Sequence, residues 1–438
     1  MVIRRIQKWF FKLTPARLLV LGFLSVILIG AFLLWLPISR FAGVPLSFLD
    51  ALFESCSAVC VTGLTVVVPG QTFNLFGRIV LALLIQIGGM GIVLVGMTFT
   101  LLSGGRISFK TRTLFVQAQN LSGYTGLIHI AKCILFMTFG IEAIGALLMW
   151  PVLMSYFNPL QALGHALFLS ISAFNNAGFD LFVGGDSLIP YAGNVPLILI
   201  LSALIIIGGF GFIAMVDLVR NRFHWSKLML TTKIAAFMTV LLLVVGTVLF
   251  KILTPQTWLE AWFQSVITRT AGFASYPLSN FSTGALLVFI VLMFIGASPN
   301  STGGGIKTTT AFAISLKAFS SSAGHDEDSV FYRRIPDICF TKASTVLYFG
   351  LSAVLLGTIL ICAFDPQFTL SEVLVEVTSA LATVGSSVGI TAQLSQASQL
   401  VIIGLMFMGR LGTVTIANLL ITGKEPKAHY SEENILIG

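Results

Sequence analysis

Four short segments, each ending on a glycine and each lying between two long apolar runs, constrain this chain more than any other feature. The segments are 50–63, 165–178, 259–272 and 372–385, ending on Gly63, Gly178, Gly272 and Gly385. Aligned on those glycines, Phe53, Phe168, Trp262 and Val375 stand ten residues before, and Ser55, Ser170, Gln264 and Val377 eight before. The first two copies share Ala-Leu-Phe and Ser-x-Ser-Ala. The runs around them are Leu18–Leu36, Ile79–Leu102, Ile130–Met154, Val195–Val219, Ile234–Phe250, Ala285–Ile295 with a continuation past Lys307, Ala343–Ala363 and Leu400–Ile421. The pattern is a fourfold repeat of spanning helix, short segment, glycine turn and spanning helix.

Composition fixes the solvent. Of the 438 residues, 56% are hydrophobic and 10% charged, against roughly 25% charged in a soluble protein. Spans need about 20 apolar residues each, so the chain reads as an all-α, multi-pass integral membrane protein. Leu18–Leu36 is long enough to cross and has no small-residue cleavage site, which makes it a first transmembrane helix. The net charge of +8 lies in alternate loops: Arg4, Arg5, Lys8, Lys12 and Arg17; Arg106, Lys110, Arg112 and Lys132; Arg220, Arg222, Lys227 and Lys233; Lys317, Arg333, Arg334 and Lys342; Lys424 and Lys427. That is the positive-inside distribution and places both termini in the cytoplasm. It argues for contact with membrane lipids and against nucleic acid. The five cysteines and five histidines are scattered without metal-ligand spacing, so no transition-metal site and no cofactor are expected.

The short segments cannot cross a hydrocarbon core about 30 Å thick. Asn158-Pro159 and Thr254-Pro255 look like N-caps followed by proline. Each segment is therefore expected to enter the membrane as a half-helix and return as extended backbone. Such backbone is tolerated only inside protein or against a wet cavity. Four such loops around one axis would supply carbonyls able to replace a cation's water shell. Amphipathic surface helices with glycine C-caps would explain one segment, but not four at equivalent places.

The second spanning run of each repeat carries glycines at matching depth: Gly88, Gly89 and Gly91; Gly208, Gly209 and Gly211; Gly296; Gly409 and Gly412. In the first two repeats these read as close helix packing. In the third, Pro299, a polar run and Gly303-Gly304-Gly305 rule out a regular helix, so the loop should line the pore. It is not a phosphate loop, because Ile306 separates the glycines from Lys307 and no strand precedes them. Arg410 is an intramembrane charge, functional by default. Its neighbour Gly409 aligns with Gly296, which sets the arginine opposite the broken loop.

These residues together resemble the Ktr/Trk/HKT superfamily of potassium transporters, in its KtrB-type membrane subunit. The resemblance covers nearly the whole chain: Leu-Pro-Ile-Ser39, Val-Thr-Gly-Leu64, Gln-Ile-Gly-Gly89, Ser-Ala-Phe-Asn-Asn-Ala-Gly-Phe179, Arg-Thr-Ala-Gly-Phe273, Met-Phe-Ile-Gly296, Ser-Thr-Gly-Gly-Gly-Ile-Lys307, Thr-Val-Gly385 and Met-Gly-Arg410. The Trk subunit of that superfamily carries two additional N-terminal helices, so a first span near residue 18 favours the shorter Ktr type. The resemblance implies a selectivity filter at Val61, Thr62 and Gly63; Asn176, Ala177 and Gly178; Thr270, Ala271 and Gly272; and Thr383, Val384 and Gly385. It implies a gate made of Gly296, Ala297, Ser298, Pro299, Asn300, Ser301, Thr302, Gly303, Gly304 and Gly305, with Lys307 and Arg410. In plant relatives a serine at the first filter glycine accompanies sodium transport, so Gly63 points to potassium.

The resemblance also implies a homodimer with one pore per subunit in the bacterial cytoplasmic membrane. A cytosolic ring of nucleotide-binding regulatory subunits, the KtrA type, would control it, and sodium would stimulate uptake. The expected division is a cytoplasmic N-terminus at 1–17, repeats at 18–112, 113–227, 228–330 (with the broken inner helix) and 331–422, and a C-terminal tail at 423–438. The chain is expected not to be an enzyme: no nucleophile–base set recurs at one depth. A secondary transporter of another cation or small solute is the second reading, although that class usually shows two inverted halves.

Overall fold

The computed structural model describes residues 14–102, 107–118, 126–324, 327–412 and 415. The expected C-terminal tail at 423–438 and most of the expected N-terminal segment at 1–17 lie outside them. Sixteen helices matter to the architecture. The first unit contains α1 (Pro15–Trp35), α2 (Phe48–Cys60), α3 (Leu75–Met90), α4 (Ile92–Leu102) and α5 (Phe109–Ala118). The second contains α6 (Leu127–Leu153), α7 (Pro159–Phe174), α8 (Val195–Phe210) and α9 (Phe212–Arg220). The third contains α10 (Leu230–Leu253), α11 (Trp258–Ile267), α12 (Thr283–Phe294) and α13 (Thr308–Ser322). The fourth contains α14 (Asp337–Phe364), α15 (Leu370–Ala382) and α16 (Gln396–Leu411).

The outer helices α1, α6, α10 and α14 are long and apolar enough to cross a membrane. Each presents large apolar side chains outward: Ile29 and Phe32, Phe136 and Phe139, Val240 and Val244, Leu351 and Leu355. Recurrence at three or four residues puts each pair on one face of its helix. In water so broad an apolar surface would drive aggregation; in hydrocarbon it costs nothing.

The inward face of each outer helix carries a glycine that admits the short helix. A Cβ at Gly30, Gly145 or Gly246 would come closer than 3.0 Å to the hydroxyl of Ser55, Ser170 or Ser265. Each serine donates to a carbonyl one turn away on the outer helix: Ser55 to Ile27 at 2.7 Å, Ser170 to Glu142 at 2.6 Å and Ser265 to Leu243 at 3.0 Å. In the fourth unit a Cβ at Gly357 would crowd Leu405 and Val377 instead. Ser265, not Gln264, therefore occupies the place of Ser55 and Ser170, and buried Phe263, not Trp262, that of Phe53 and Phe168. The alignment on glycines is one residue out in the third segment because its turn is tighter. There the Ala271 amide reaches Ile267, four residues back, where the Thr62, Ala177 and Val384 amides each reach five back.

Three short helices begin with a capping box: Ser47 with Asp50 in α2, Thr257 with Glu260 in α11, and Thr369 with Glu372 in α15. Thr257 is thus the cap of the third short helix. Thr254-Pro255 is not, because the Thr254 hydroxyl is turned back onto the Phe250 carbonyl at the end of α10. Asn158 precedes Pro159 at the start of α7 but makes no side-chain cap. Thr369→Ala is therefore expected to cost about 1 kcal/mol and to lower the melting temperature of detergent-solubilised protein, while Asn158→Ala lowers it less.

Inner helices break in more units than expected. α3 and α4 meet at 99° and α8 and α9 at 94°, at Gly91 (φ 85°) and Gly211 (φ 102°), and α16 ends on Gly412 (φ 88°). The packing role of the neighbouring glycines holds as well. A Cβ at Gly88, Gly208 or Gly409 would strike the carbonyl of Val59, Phe174 or Leu381, each four residues before the terminal glycine of its segment. The helix must have small residues to pass the segment, and then a left-handed residue to turn away from it.

Beyond α13 the chain forms a small hairpin, β1 (Ser329–Val330) and β2 (Arg333–Arg334). Lys317 at the end of the preceding helix contacts Asp328 at 2.6 Å, and this hydrogen bond holds the Asp328 carboxyl below its usual range.

Candidate ion pathway

The four glycine-ended segments come together around one axis. Each short helix ends in the same backbone figure. Two residues before the glycine, φ is positive at Val61 (57°), Asn176 (57°), Thr270 (71°) and Thr383 (51°). It is positive again at Gly63 (95°), Gly178 (71°), Gly272 (64°) and Gly385 (92°), and negative at Thr62, Ala177, Ala271 and Val384 between them. Left-handed backbone at a β-branched valine or threonine is strained and persists only where the surroundings hold it. Gly63, Gly272 and Gly385 are half-buried, and the other residues of the figure are buried.

The segments close into a ring. A Cβ on Gly63 would strike the carbonyl oxygen of Ala177; on Gly178, that of Ala271; on Gly272, that of Val384; and on Gly385, that of Thr62. All four approaches fall below 3.0 Å. Each unit's glycine thus faces a carbonyl of the next unit, and the fourth returns to the first. Thr62 Oγ1, Asn176 Oδ1 and Thr383 Oγ1 are buried without a hydrogen-bond partner among the described residues. Asn176 also ties the second unit to the third, donating to the Arg269 carbonyl at 3.1 Å and to Thr270 Oγ1 at 3.3 Å.

The loop between α12 and α13 lies against this ring. Gly296 and Ile306 are joined through their backbones (N–O 2.9 Å), as are Ala297 and Gly304 (3.3 Å). Ser298 N donates to the Gly209 carbonyl at 3.0 Å, and Phe212 N, at the start of α9, to that of Asn300 at 2.8 Å. Thr302 N and Oγ1 reach the Gly208 and Phe174 carbonyls at 3.3 and 3.2 Å. Asn300 itself is left-handed (φ 56°). Pro299 O crowds Gly211, and Ser301 Oγ closes the bend onto the Ser298 carbonyl. A Cβ on Gly303 would strike the Thr270 hydroxyl and one on Gly304 the Thr383 hydroxyl, so only glycines let the loop approach this close. Gly305 turns the chain away (φ 70°).

Two cations hold the loop. Lys307 Nζ donates to the Gly303 carbonyl at 2.7 Å. Arg410, on α16, donates through one guanidinium nitrogen to the Thr302 carbonyl and through the other to Gly88, with Gly89 at 3.2 Å. It thereby bridges the third-unit loop to the end of α3 with a planar fork suited to several acceptors.

A cavity lies on each side. One of about 390 Å³ is lined by all four glycines, with Asp180 and Asp186 at its wall. The other, about 480 Å³, is lined by Gly303, Gly305, Lys307 and Arg410 together with Gly91 and Gly412. The ring and the loop separate them. Sequence reasoning missed the hydroxyls of Ser57 and Ser379, which accept the Gly63 and Gly385 amides at 3.0 Å each. The signal was available: a serine stands six residues before the glycine in three of the four segments.

A multi-pass helical membrane protein with four pseudo-symmetric helix–loop–helix units around one axis is the class these features define. The model of the TrkH cation transport protein family matches residues 14–255 and 223–431. The chain belongs to that family, on its KtrB-type branch. It is 37% identical over 443 residues to Ktr system potassium uptake protein D of Bacillus subtilis, covering 97% of this chain and 98% of that one. It is 37% identical over 441 residues to Ktr system potassium uptake protein B of Vibrio alginolyticus, covering 96% and 94%. It is 35% identical over 452 residues to the potassium/sodium uptake protein NtpJ of Enterococcus hirae, covering 99% of each. The crystal structure of the potassium transporter TrkH from Vibrio parahaemolyticus shares the fold, with a TM-score of 0.72 at 20% identity over 91% of this chain and 84% of that one.

Proposed function

We propose that this protein takes up potassium across the bacterial cytoplasmic membrane, selecting the ion with the backbone carbonyls of the ring at Gly63, Gly178, Gly272 and Gly385. The observation that carries the reading is the closed sequence of carbonyl-to-glycine approaches around the ring. Residues of alternating hand turn successive carbonyls to one side of a chain. Four such chains offer a dehydrated cation the oxygens it loses on leaving water. The ends of the short helices add partial negative charge there. The names of full-length relatives support potassium as the ion.

In the same reading, residues 296–305 with Lys307 and Arg410 form the gate. The loop separates two cavities, and both cations bind its carbonyls. Both termini are cytoplasmic, and the repeats divide at 18–112, 113–227, 228–330 and 331–422. The protein works as a homodimer on a KtrA-type nucleotide-binding ring, stimulated by sodium, with lipid around it. A second reading, in which sodium is itself carried, is favoured by the name of the Enterococcus hirae relative.

Expression in a bacterium lacking its own potassium uptake is expected to restore growth at low potassium. Membrane-inserted protein that gives no rescue, with or without a co-expressed ring subunit, would sink the potassium reading. Uptake of potassium and of sodium into proteoliposomes, measured with each ion alone and together, separates stimulation by sodium from its transport.

A further inference from the structure

The four quadrants of the ring are not built alike. Quadrants one and four share a device that the other two lack. Glu54 and Glu376 stand nine residues before Gly63 and Gly385, and both are fully buried on the short helices α2 and α15. Glu54 Oε1 accepts the amides of Val66 at 2.9 Å and Val67 at 3.3 Å, in the chain leaving the ring. Glu376 Oε1 accepts the hydroxyl of Thr391, in the equivalent stretch of the fourth quadrant. The other carboxyl oxygen, Oε2, has no hydrogen-bond partner among the described residues in either case. Ser57 and Ser379, one turn further along the same helices, accept the ring glycine amides themselves.

The remaining quadrants differ. At the matching place the second has Leu169. The third, shifted by its one-residue-tighter turn, has Gln264, whose Oε1 is buried without a partner among the described residues and which lines the cavity of about 390 Å³. Ring adjacency runs from unit one to two, three, four and back to one, so the two carboxyls occupy neighbouring quadrants.

We propose that Glu54 and Glu376 are specificity-determining positioning residues. Each clamps its short helix to the chain leaving the ring, and so holds the ring carbonyls of quadrants one and four at the spacing that favours potassium. When ionised, the two carboxyls also raise the affinity for a monovalent cation. This rests on the reading of the ring as the ion-selecting element. Two arguments support it. Buried carboxyls in a membrane interior are costly and are retained where they act on a charged species. Moreover, among the described residues neither is hydrogen-bonded or ion-paired to a cationic side chain: Glu54 meets backbone amides and Glu376 the Thr391 hydroxyl, so a cation in the ring is the natural counter-charge. A hydrogen bond to a charged group is also stronger than a neutral one, which suits a clamp.

The test uses the full chain in proteoliposomes, with potassium and sodium uptake measured across concentration. Wild-type protein must first transport potassium; if it does not, the reading of the ring fails rather than this inference. Glu54→Ala and Glu376→Ala are expected to lower the potassium-to-sodium uptake ratio about tenfold, the loss of one charged hydrogen-bond clamp. Glu54→Gln and Glu376→Gln keep an acceptor but lose the charge. They are expected to retain the ratio within about twofold while raising the half-saturating potassium concentration severalfold at unchanged maximal rate. Glu327→Gln, exposed beside the β1–β2 hairpin and far in sequence from ring and loop, serves as a control with wild-type kinetics.

If the alanine variants do not fold, Ser57→Ala and Ser379→Ala remove the same clamp at its other point and should lower the ratio too. Ratios and half-saturation equal to wild type in folded alanine variants, or in the serine variants where the alanines fail, would overturn the proposal. So would glutamine variants that lose maximal rate with no change in half-saturation.

Discussion

Gly63→Ser lowers the potassium-over-sodium uptake ratio by about tenfold or more, because any side chain there costs about 1–3 kcal/mol of strain and 1.4 kcal/mol is a factor of ten. Two constraints act together. Gly63 sits at φ 95°, where L-residues are rarely found, and a Cβ would strike the Ala177 carbonyl of the next unit. The ring must yield by moving that oxygen, and a displaced or rotated carbonyl no longer offers potassium its place. Sodium, smaller and harder to dehydrate, loses less. Gly43→Ser separates the two constraints. Gly43 also has a positive φ, 82°, but a Cβ there meets nothing within 4 Å. It should shift stability slightly and leave the ratio alone. Unchanged ratios in Gly63→Ser protein of normal yield would refute the selecting role of the ring.

The second large effect is at Arg410. Arg410→Ala should raise maximal potassium flux by about tenfold or more, since each charged hydrogen bond it loses contributes roughly 1.5–3 kcal/mol. The side chain joins the Thr302 carbonyl of the loop to the Gly88 and Gly89 carbonyls at the end of α3. Without that bridge the loop keeps its Lys307 contact and its backbone bonds to Gly208 and Gly209, but loses its tie to the first unit. Arg410→Lys retains charge without the planar fork and should fall between. Shortening the loop within 298–304 should act in the same direction. A fall in flux at normal expression in both Arg410→Ala and the shortened loop would mark the arginine as structural only.

The fourfold organisation was readable because it is periodic. Apolar runs and terminal glycines recur at countable distances, and each has a physical reason to recur. Register was less secure. Trp262 and Gln264 match by counting back from Gly272, yet Phe263 and Ser265 take those places, because a helix can lose a residue in its last turn without changing composition. Caps were half readable. A threonine before a proline satisfies the rule at Thr254, but Thr257 with Glu260 satisfies it better, and the reciprocal hydrogen bonds decide. The helix breaks at Gly91, Gly211 and Gly412 were hidden by ambiguity: glycine permits both close packing and left-handed turns, and here adjacent glycines do one each.

What the sequence determined by itself was the solvent, the fourfold division and the class of transporter. Hydropathy and the repetition of short segments are properties of the chain alone, legible before any contact forms. Only the tertiary structure decided that the four glycines meet as a ring, each against the carbonyl of the next unit. It also decided that Arg410 reaches Gly88 as well as the loop, and that Glu54 and Glu376 face the chain leaving the ring. Those relations join residues up to 323 positions apart (Gly385 with Thr62), and no local pattern encodes the distance between two atoms on different helices. Packing supplies it: glycines on outer and inner helices set how close each short helix may come, and so where its carbonyls stand.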